Sequence, residues 1–367
     1  MILVVDCNLK DIKVWAFSGK DKSPHGRIIA HVLDDAGDDG ALLKSIEAIA
    51  GKENIEAISF RVLFGGDNFH KPVLVGQSLF KEFEKLTDFF PFYVPVTLQM
   101  LKRFRRIFKD MPLIAFFESS FFLKLPDEEK YYALPFEYHK NNRIRKWGFH
   151  GIFHEANSEL SGQGGKNISI VFDKQTTVCA TLNKQPLSIS LGYTPLEGVM
   201  SRTSCGDLDP GIVFYLMNVQ KFSIYEIDDM LKRKSGFVGL TGYDIELKDM
   251  LKLHGRDPKV DLAFDVYEAQ IMKYIGEGIS VLGGLDSIVF SGGNVDIFTP
   301  IIHDIIKKIS FLGINTVKLP WRDAEEVTNI SRDESRIKVY INKMDLAKVI
   351  FDKSEIFLRL ALSEKRV

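Results

Sequence analysis

Only three cysteines occur in 367 residues, Cys7, Cys179 and Cys205, and no two lie close enough to form a CxxC pair. That excludes a disulfide framework, a zinc ribbon and a thioredoxin-like motif, and it points to a reducing compartment. Net charge is equally scarce: 48 Lys and Arg against 49 Asp and Glu leave −1. Without an overall positive field the chain has no means of drawing in a polyanion, so nucleic-acid binding is not expected. No uninterrupted apolar run is long enough to cross a bilayer. The opening Met-Ile-Leu-Val-Val-Asp has no basic lead and meets an acid after four apolar residues, so no signal peptide is expected. The expectation is a cytoplasmic protein that does not span a membrane.

What is present is core material. Hydrophobic residues make up 45% and charged residues 26%, the balance of a soluble globular chain, and the length suits two domains or three. Short β-branched runs at 2–6, 12–17 and 27–33 predict a strand meander. Helical spacing follows at 39–50, a strand at 57–64, helices at 76–86 and 97–108, and a strand at 112–118. Lys102, Arg103, Arg105 and Arg106 on the second of these helices predict a solvated basic face.

After a Gly-rich stretch at 161–165 the pattern starts again, with strands at 168–172 and 177–182. Helices at 212–218, 223–232 and 260–282 lead to strands at 287–290, 316–319 and 337–341, and a helix at 345–362 follows. Two halves that each open on a hairpin and continue as strand and helix predict a duplicated α/β fold with a ligand cleft between the copies. The expected domains are 1–150, joined by the helix 346–367, and 151–345.

Two stretches stand out chemically. Arg-Lys-Trp-Gly-Phe-His-Gly at 145–151 offers the His150 imidazole between two glycines that permit close approach; the alternative is a loop histidine satisfied by backbone. His150 and His154 are four apart, but the glutamate of a HExxH site is absent, which argues against a metal pair. The denser signal is Gly-Tyr-Thr-Pro-Leu-Glu-Gly at 192–198, followed by Cys-Gly-Asp-Leu-Asp-Pro-Gly at 205–211.

Together with Trp147 to His150, Lys-Ser-Gly at 234–236, Phe-Arg-Val-Leu-Phe-Gly-Gly at 60–66, Ala-Leu-Pro at 133–135 and Phe-Ser-Gly-Gly at 290–293, these strings resemble the acetate kinase family. They agree in order and spacing over nearly the whole chain. The family belongs to the sugar kinase/Hsp70/actin superfamily, so the resemblance implies two duplicated ribonuclease-H-like α/β domains. It also implies reversible phosphoryl transfer between ATP and a short-chain carboxylate, with Mg²⁺, giving an acyl phosphate. Small-molecule carboxylate and nucleotide are the implied partners, and a homodimer is implied through the second domain.

Residue by residue, the resemblance puts Arg61 and His150 on positions that handle the transferring phosphoryl group. Leu63, Phe92, Phe149 and Pro195 fall on the apolar acyl pocket, and Glu118 on an active-site aspartate. The departures are as specific. The family's second active-site arginine aligns with Ser204, with Arg202 two residues earlier as a replacement. Both phosphate loops lose their glycines and instead carry Lys10 and Lys174, which serve either as phosphate partners or as surface lysines. Gly292, Gly293 and Asn294 fall on the adenosine side, ahead of Thr299 and Pro300, which read as a helix cap and first turn. Asp6 replaces an asparagine, and the family's Mg²⁺-associated glutamate aligns with Met344, leaving Asp345 beside it as the carboxylate. Two functions therefore stay open: a divergent carboxylate kinase, and a catalytically inactive relative that binds a ligand or regulates.

Overall fold

The structure, a computed structural model, describes residues 1–7, 11–18, 24–31, 39–51, 53–90, 93–161, 164–316 and 326–364. They form two units, Met1–Leu123 with Asp345–Val367, and Lys124–Met344.

The first unit is built on a six-stranded sheet of β1 (Ile2–Cys7), β2 (Asp11–Phe17), β3 (Pro24–His31), β4 (Ala57–Val62), β5 (Val73–Leu74) and β6 (Leu113–Phe117), in the order β3-β2-β1-β4-β6-β5. Ile2, Leu3, Val4 and Val5 are all buried, as a continuous apolar run demands of a central strand covered on both faces. The helix Leu346–Glu364 packs on β1, β2 and β4, with Phe351 stacked on Phe17 at 5.0 Å.

The helix Gln77–Leu86 buries Leu79, Phe80, Phe83 and Leu86, one stripe at helical spacing. Helix Val94–Ile107 carries the basic residues expected to face solvent: Lys102 and Arg106 are exposed, and Arg103 and Arg105 are half-buried. Arg103 and Arg106 hold Asp39 at 2.9 and 2.7 Å, Lys102 holds Glu84 at 2.6 Å, and Arg105 donates to four backbone carbonyls. Long aliphatic stems let these side chains reach neighbouring elements while the charged heads of Lys102 and Arg106 stay in water.

The second unit repeats the plan with β7 (Lys166–Phe172), β8 (Thr176–Leu182), β9 (Gln185–Ile189), β10 (Ser287–Ser291), β11 (Val327–Asn329) and β12 (Lys338–Asn342), in the order β11-β12-β10-β7-β8-β9. Each sheet thus has two antiparallel hairpin strands, three neighbouring strands in parallel and a short antiparallel edge. The long helix Pro258–Leu282 covers β7 and β8, and a side chain at Gly278 would sit 3.1 Å from Ile168 and 3.3 Å from Ala180, so glycine lets the helix close on the sheet. Its ends follow the rules of capping: Asp257 accepts from Lys259 N, Pro258 opens the first turn, and Gly283 ends it at φ 62°.

Three boundaries differ from expectation. The first unit ends at Leu123, not at 150, because residues 124–150 bond within the second unit: Trp147 N donates to Gly192 O and Ile189 N to Glu129. The strand expected at 27–33 spans Pro24–His31. Of the strand expected at 316–319, Thr316 makes a single bridge with Ser331, and 317–319 lie outside the described residues. No helix among the described residues is long and apolar enough to cross a membrane.

Candidate active site

Three neighbouring parallel strands of the first sheet each carry a charge at or beside the carboxyl end. Asp6 is the penultimate residue of β1, Arg61 pairs with it in register as the penultimate residue of β4, and Glu118 follows β6 directly. The carboxyl ends of parallel strands are where α/β sheets present ligand-binding groups. Arg61 Nε donates to Glu118 Oε1 at 2.6 Å and Nη1 to Asp6 Oδ2 at 3.3 Å. All three are buried, so the low-dielectric setting makes each charge depend on its neighbours. Asp6 Oδ1 is buried with no hydrogen-bond partner among the described residues. Leu63, two residues past Arg61, is half-buried. Phe92 and Lys10 lie outside the described residues.

In the second unit, His150 takes a left-handed backbone (φ 60°) just before helix Gly151–Ser158. Its Nδ1 is 3.0 Å from Thr177 Oγ1, and Nε2 faces Asp173 Oδ2 at 3.9 Å. His154 Nε2 reaches the same threonine at 2.9 Å. Burial, and then the neighbouring His150, hold His154 well below the usual histidine range. Phe149 and Trp147 beside His150 are buried, and Arg145 lies 3.8 Å from the Trp147 ring centre.

The turn after β7 and the turn after β10 meet. Asn294 N donates to Phe172 O at 2.9 Å, and at Gly292 (φ 101°) any side chain would lie 2.3 Å from that carbonyl oxygen. A side chain on Gly293 would stand 3.9 Å from Asp173 Oδ1. Lys174 is exposed. Helix Thr299–Lys308 follows, but Phe298 holds the cap position and Thr299 Oγ1 donates to Asp296 O.

Gln175, which the sequence did not single out, ties two loops together. Its amide donates to Pro195 O and, at 3.2 Å, to Ser204 Oγ. Ser204 is buried and also lies 2.7 Å from Ser201 Oγ. Arg202 is not beside it on these bonds: Nη1 pairs with Asp244 at 2.5 Å and reaches Ile245 O at 3.4 Å. The loop 192–198 is braced from below, where Glu197 bonds Tyr132 and lies 3.7 Å from Lys146, itself 3.0 Å from Glu129. Burial opposes the Lys146 charge, but Glu129 and Glu197 outweigh it and the ammonium pKa is raised. Met344 is buried, and Asp345 Oδ1 accepts from Ala347 N at 2.9 Å, capping the helix that follows.

Two α/β units of this repeated topology define a protein of duplicated ribonuclease-H-like fold. The sequence profile of the acetokinase family matches residues 27–352, and the chain belongs to that family. It is 30% identical to the acetate kinase of Brachyspira hyodysenteriae over 312 residues, 84% of this chain and 79% of that one. It is 32% identical to the acetate kinase of Thermosipho africanus over 305 residues, 80% and 75% of the two chains. The fold matches the crystal structure of Porphyromonas gingivalis acetate kinase with a TM-score of 0.85, 21% identity and coverage of 97% and 99%. A propionate kinase from Francisella tularensis gives 0.84, 23%, 95% and 97%.

Proposed function

We propose that the protein transfers the γ-phosphoryl group of ATP to a short-chain carboxylate, giving an acyl phosphate and ADP. A carboxylate oxygen forms the new bond to phosphorus as the bond to the ADP oxygen breaks. The observation that carries this reading is Arg61, a buried guanidinium whose plane is fixed by Asp6 and Glu118 at the ends of β1 and β6. Phosphoryl transfer has a loose transition state, so a pre-oriented cation is the main thing a protein can supply. His150 acts as hydrogen-bond donor to the same group, while Leu63, Phe92, Phe149 and Pro195 give the acyl chain an apolar seat. Gly292, Gly293 and Asn294 serve the nucleotide, with Lys174 and Lys10 as phosphate partners.

The residues fit a Mg²⁺ ion carried in by the triphosphate. Two carboxylates against one guanidinium leave an excess negative charge, and Asp6 Oδ1 is a buried oxygen with no hydrogen-bond partner among the described residues. Mg²⁺ typically needs only one or two protein carboxylates beside substrate phosphates and water, where it neutralises phosphate charge. Asp6 would be its anchor, Asp345 would be the second carboxylate available, and the Met344 thioether is too soft.

A second reading, an inactive relative, is favoured by Ser204 in the place of an arginine. Losing such a cation costs on the order of 10³ to 10⁵ in rate. Trapping acyl phosphate from acetate, propionate or butyrate with MgATP separates the two: product that disappears in Arg61→Ala supports the kinase, and no product with any of the three overturns it. Cytoplasmic location and a homodimer belong to the same proposal. The dimer is supported by helix Pro210–Asn218, in which Ile212, Phe214, Tyr215 and Met217 are exposed and no residue is buried.

A further inference from the structure

Inside the second unit a line of buried polar groups runs to His150, and its proton directions can be worked out from one end. Met344 N–H has no choice but to donate, and it does so to Asn342 Oδ1 at 3.0 Å. That fixes the Asn342 amide, whose Nδ2 donates to Asn157 Oδ1 at 2.8 Å. Asn157 Nδ2 therefore donates to Ser169 Oγ at 2.8 Å and to Ser291 Oγ at 2.6 Å. The other partner of the Ser169 hydroxyl is His154 Nδ1 at 2.9 Å. Accepting there too would leave a buried hydroxyl proton without an acceptor, which folded proteins avoid.

So Ser169 donates to His154 Nδ1. A wholly buried His154, kept unprotonated by burial, then carries its one proton on Nε2, as the two nitrogens of a neutral imidazole divide donor and acceptor. Nε2–H donates to Thr177 Oγ1 at 2.9 Å. The Thr177 proton is left for His150 Nδ1 at 3.0 Å.

We infer that Thr177 and His154 are positioning residues that lock neutral His150 in the tautomer with its proton on Nε2. Nε2 is the nitrogen on the Asp173 side, away from the buried line. The inference deepens the proposed function, and its catalytic consequence rests on that reading: His150 meets the phosphoryl group as a donor of fixed direction without needing to be charged. Thr177 has the β-branched side chain its strand favours and the hydroxyl the relay needs.

The test uses the full chain labelled with ¹⁵N-histidine, with long-range ¹H–¹⁵N correlation spectra at neutral pH. His150→Gln and His154→Gln assign the two rings by loss of signal. Both are expected to show a protonated Nε2 and an unprotonated, acceptor-type Nδ1. Thr177→Val, which removes only the hydroxyl, is expected to give His150 a mixture of tautomers. It should lower kcat for acyl phosphate formation roughly tenfold while the carboxylate KM changes less than about twofold; Thr177→Ser should restore both the spectrum and kcat. A wild-type His150 protonated on Nδ1 overturns the inference, whether or not Thr177→Val folds, and so does an unchanged His150 spectrum in that variant. If no acyl phosphate forms, the spectra still decide the tautomer. Product formed with an unaltered Thr177→Val spectrum keeps the kinase and removes the relay.

Discussion

Arg61 and Glu118, 57 positions apart in sequence, share a 2.6 Å hydrogen bond at which the carboxylate is wholly buried. Removing one member of such a pair leaves an uncompensated charge. Arg61→Ala is expected to abolish acyl phosphate formation and to cost about 3–5 kcal/mol of stability by urea unfolding. Glu118→Asp should fold with a smaller loss and slow turnover, because the shorter arm no longer meets Nε. An Arg61→Ala protein as stable as the parent would show that the pair is not what holds these strand ends.

Asp244 competes for Arg202. The aspartate is largely exposed, and a pair of this kind contributes up to about 1 kcal/mol, little enough to exchange for a phosphoryl group. Asp244→Asn is therefore expected to raise kcat by up to roughly fivefold, and Arg202→Ala to remove turnover. Ser204→Arg in the Arg202→Ala background should restore part of it. If Arg202→Ala keeps full activity in the coupled assay, Arg202 has no part in the reaction.

Nucleotide affinity should be low for the family because Asp173 stands by Gly293. A carboxylate near a triphosphate opposes it through unfavourable Coulomb energy, on the order of 1 kcal/mol at a solvated distance of about 4 Å. Asp173→Gly is expected to tighten MgATP binding in calorimetry, and equal affinities would remove Asp173 from the nucleotide side.

Acid should destabilise the protein through His154. Its folded pKa is depressed, so the folded chain stays neutral there while the unfolded chain takes up a proton below about pH 6.5. The contribution is present above that pH and is lost as pH falls, by up to about 1.4 kcal/mol per pH unit. Denaturant midpoints measured from pH 7.5 to 5 should decline in the parent chain and flatten in His154→Gln; parallel slopes would exclude His154 as the source.

The apolar face of Pro210–Asn218 and the 84% exposed Tyr225 should be covered in solution. Light scattering is expected to give twice the chain mass for the parent and the chain mass for Phe214→Glu combined with Tyr225→Glu. A monomeric parent would end the dimer proposal.

Much of the fold is legible in the sequence where one residue type dominates an element. The helix Asp39–Ala50 falls on its expected ends, and the unbroken apolar run of β1 announces a central strand. β9 is not legible, since Pro186 and Gln185 argue against a strand; it survives as the edge of its sheet, where a missing N–H costs no ladder bond. Arg61 and His150 stand out through the motifs around them. Thr177, Ser169, Asn157 and Asn342 do not, because a polar residue in a strand or helix ordinarily signals a solvent face. Their burial depends on which other polar groups arrive beside them, and that is decided by tertiary packing. Gln175 is hidden for the same reason: its partners lie 20 and 29 residues away.

The first unit is interrupted: its chain leaves at Leu123 and returns at Asp345. Helix Leu346–Glu364 supplies Phe351 against Phe17, and Ser354 Oγ lies 2.6 Å from Ser59 Oγ, 295 positions earlier. During synthesis on the ribosome the sheet begun by the earliest residues therefore waits, one face bare, until this helix emerges, while residues 124–344 are already free to fold. Nascent chains stalled before residue 346 are expected to be more exposed to chaperones and proteases than chains that include this helix.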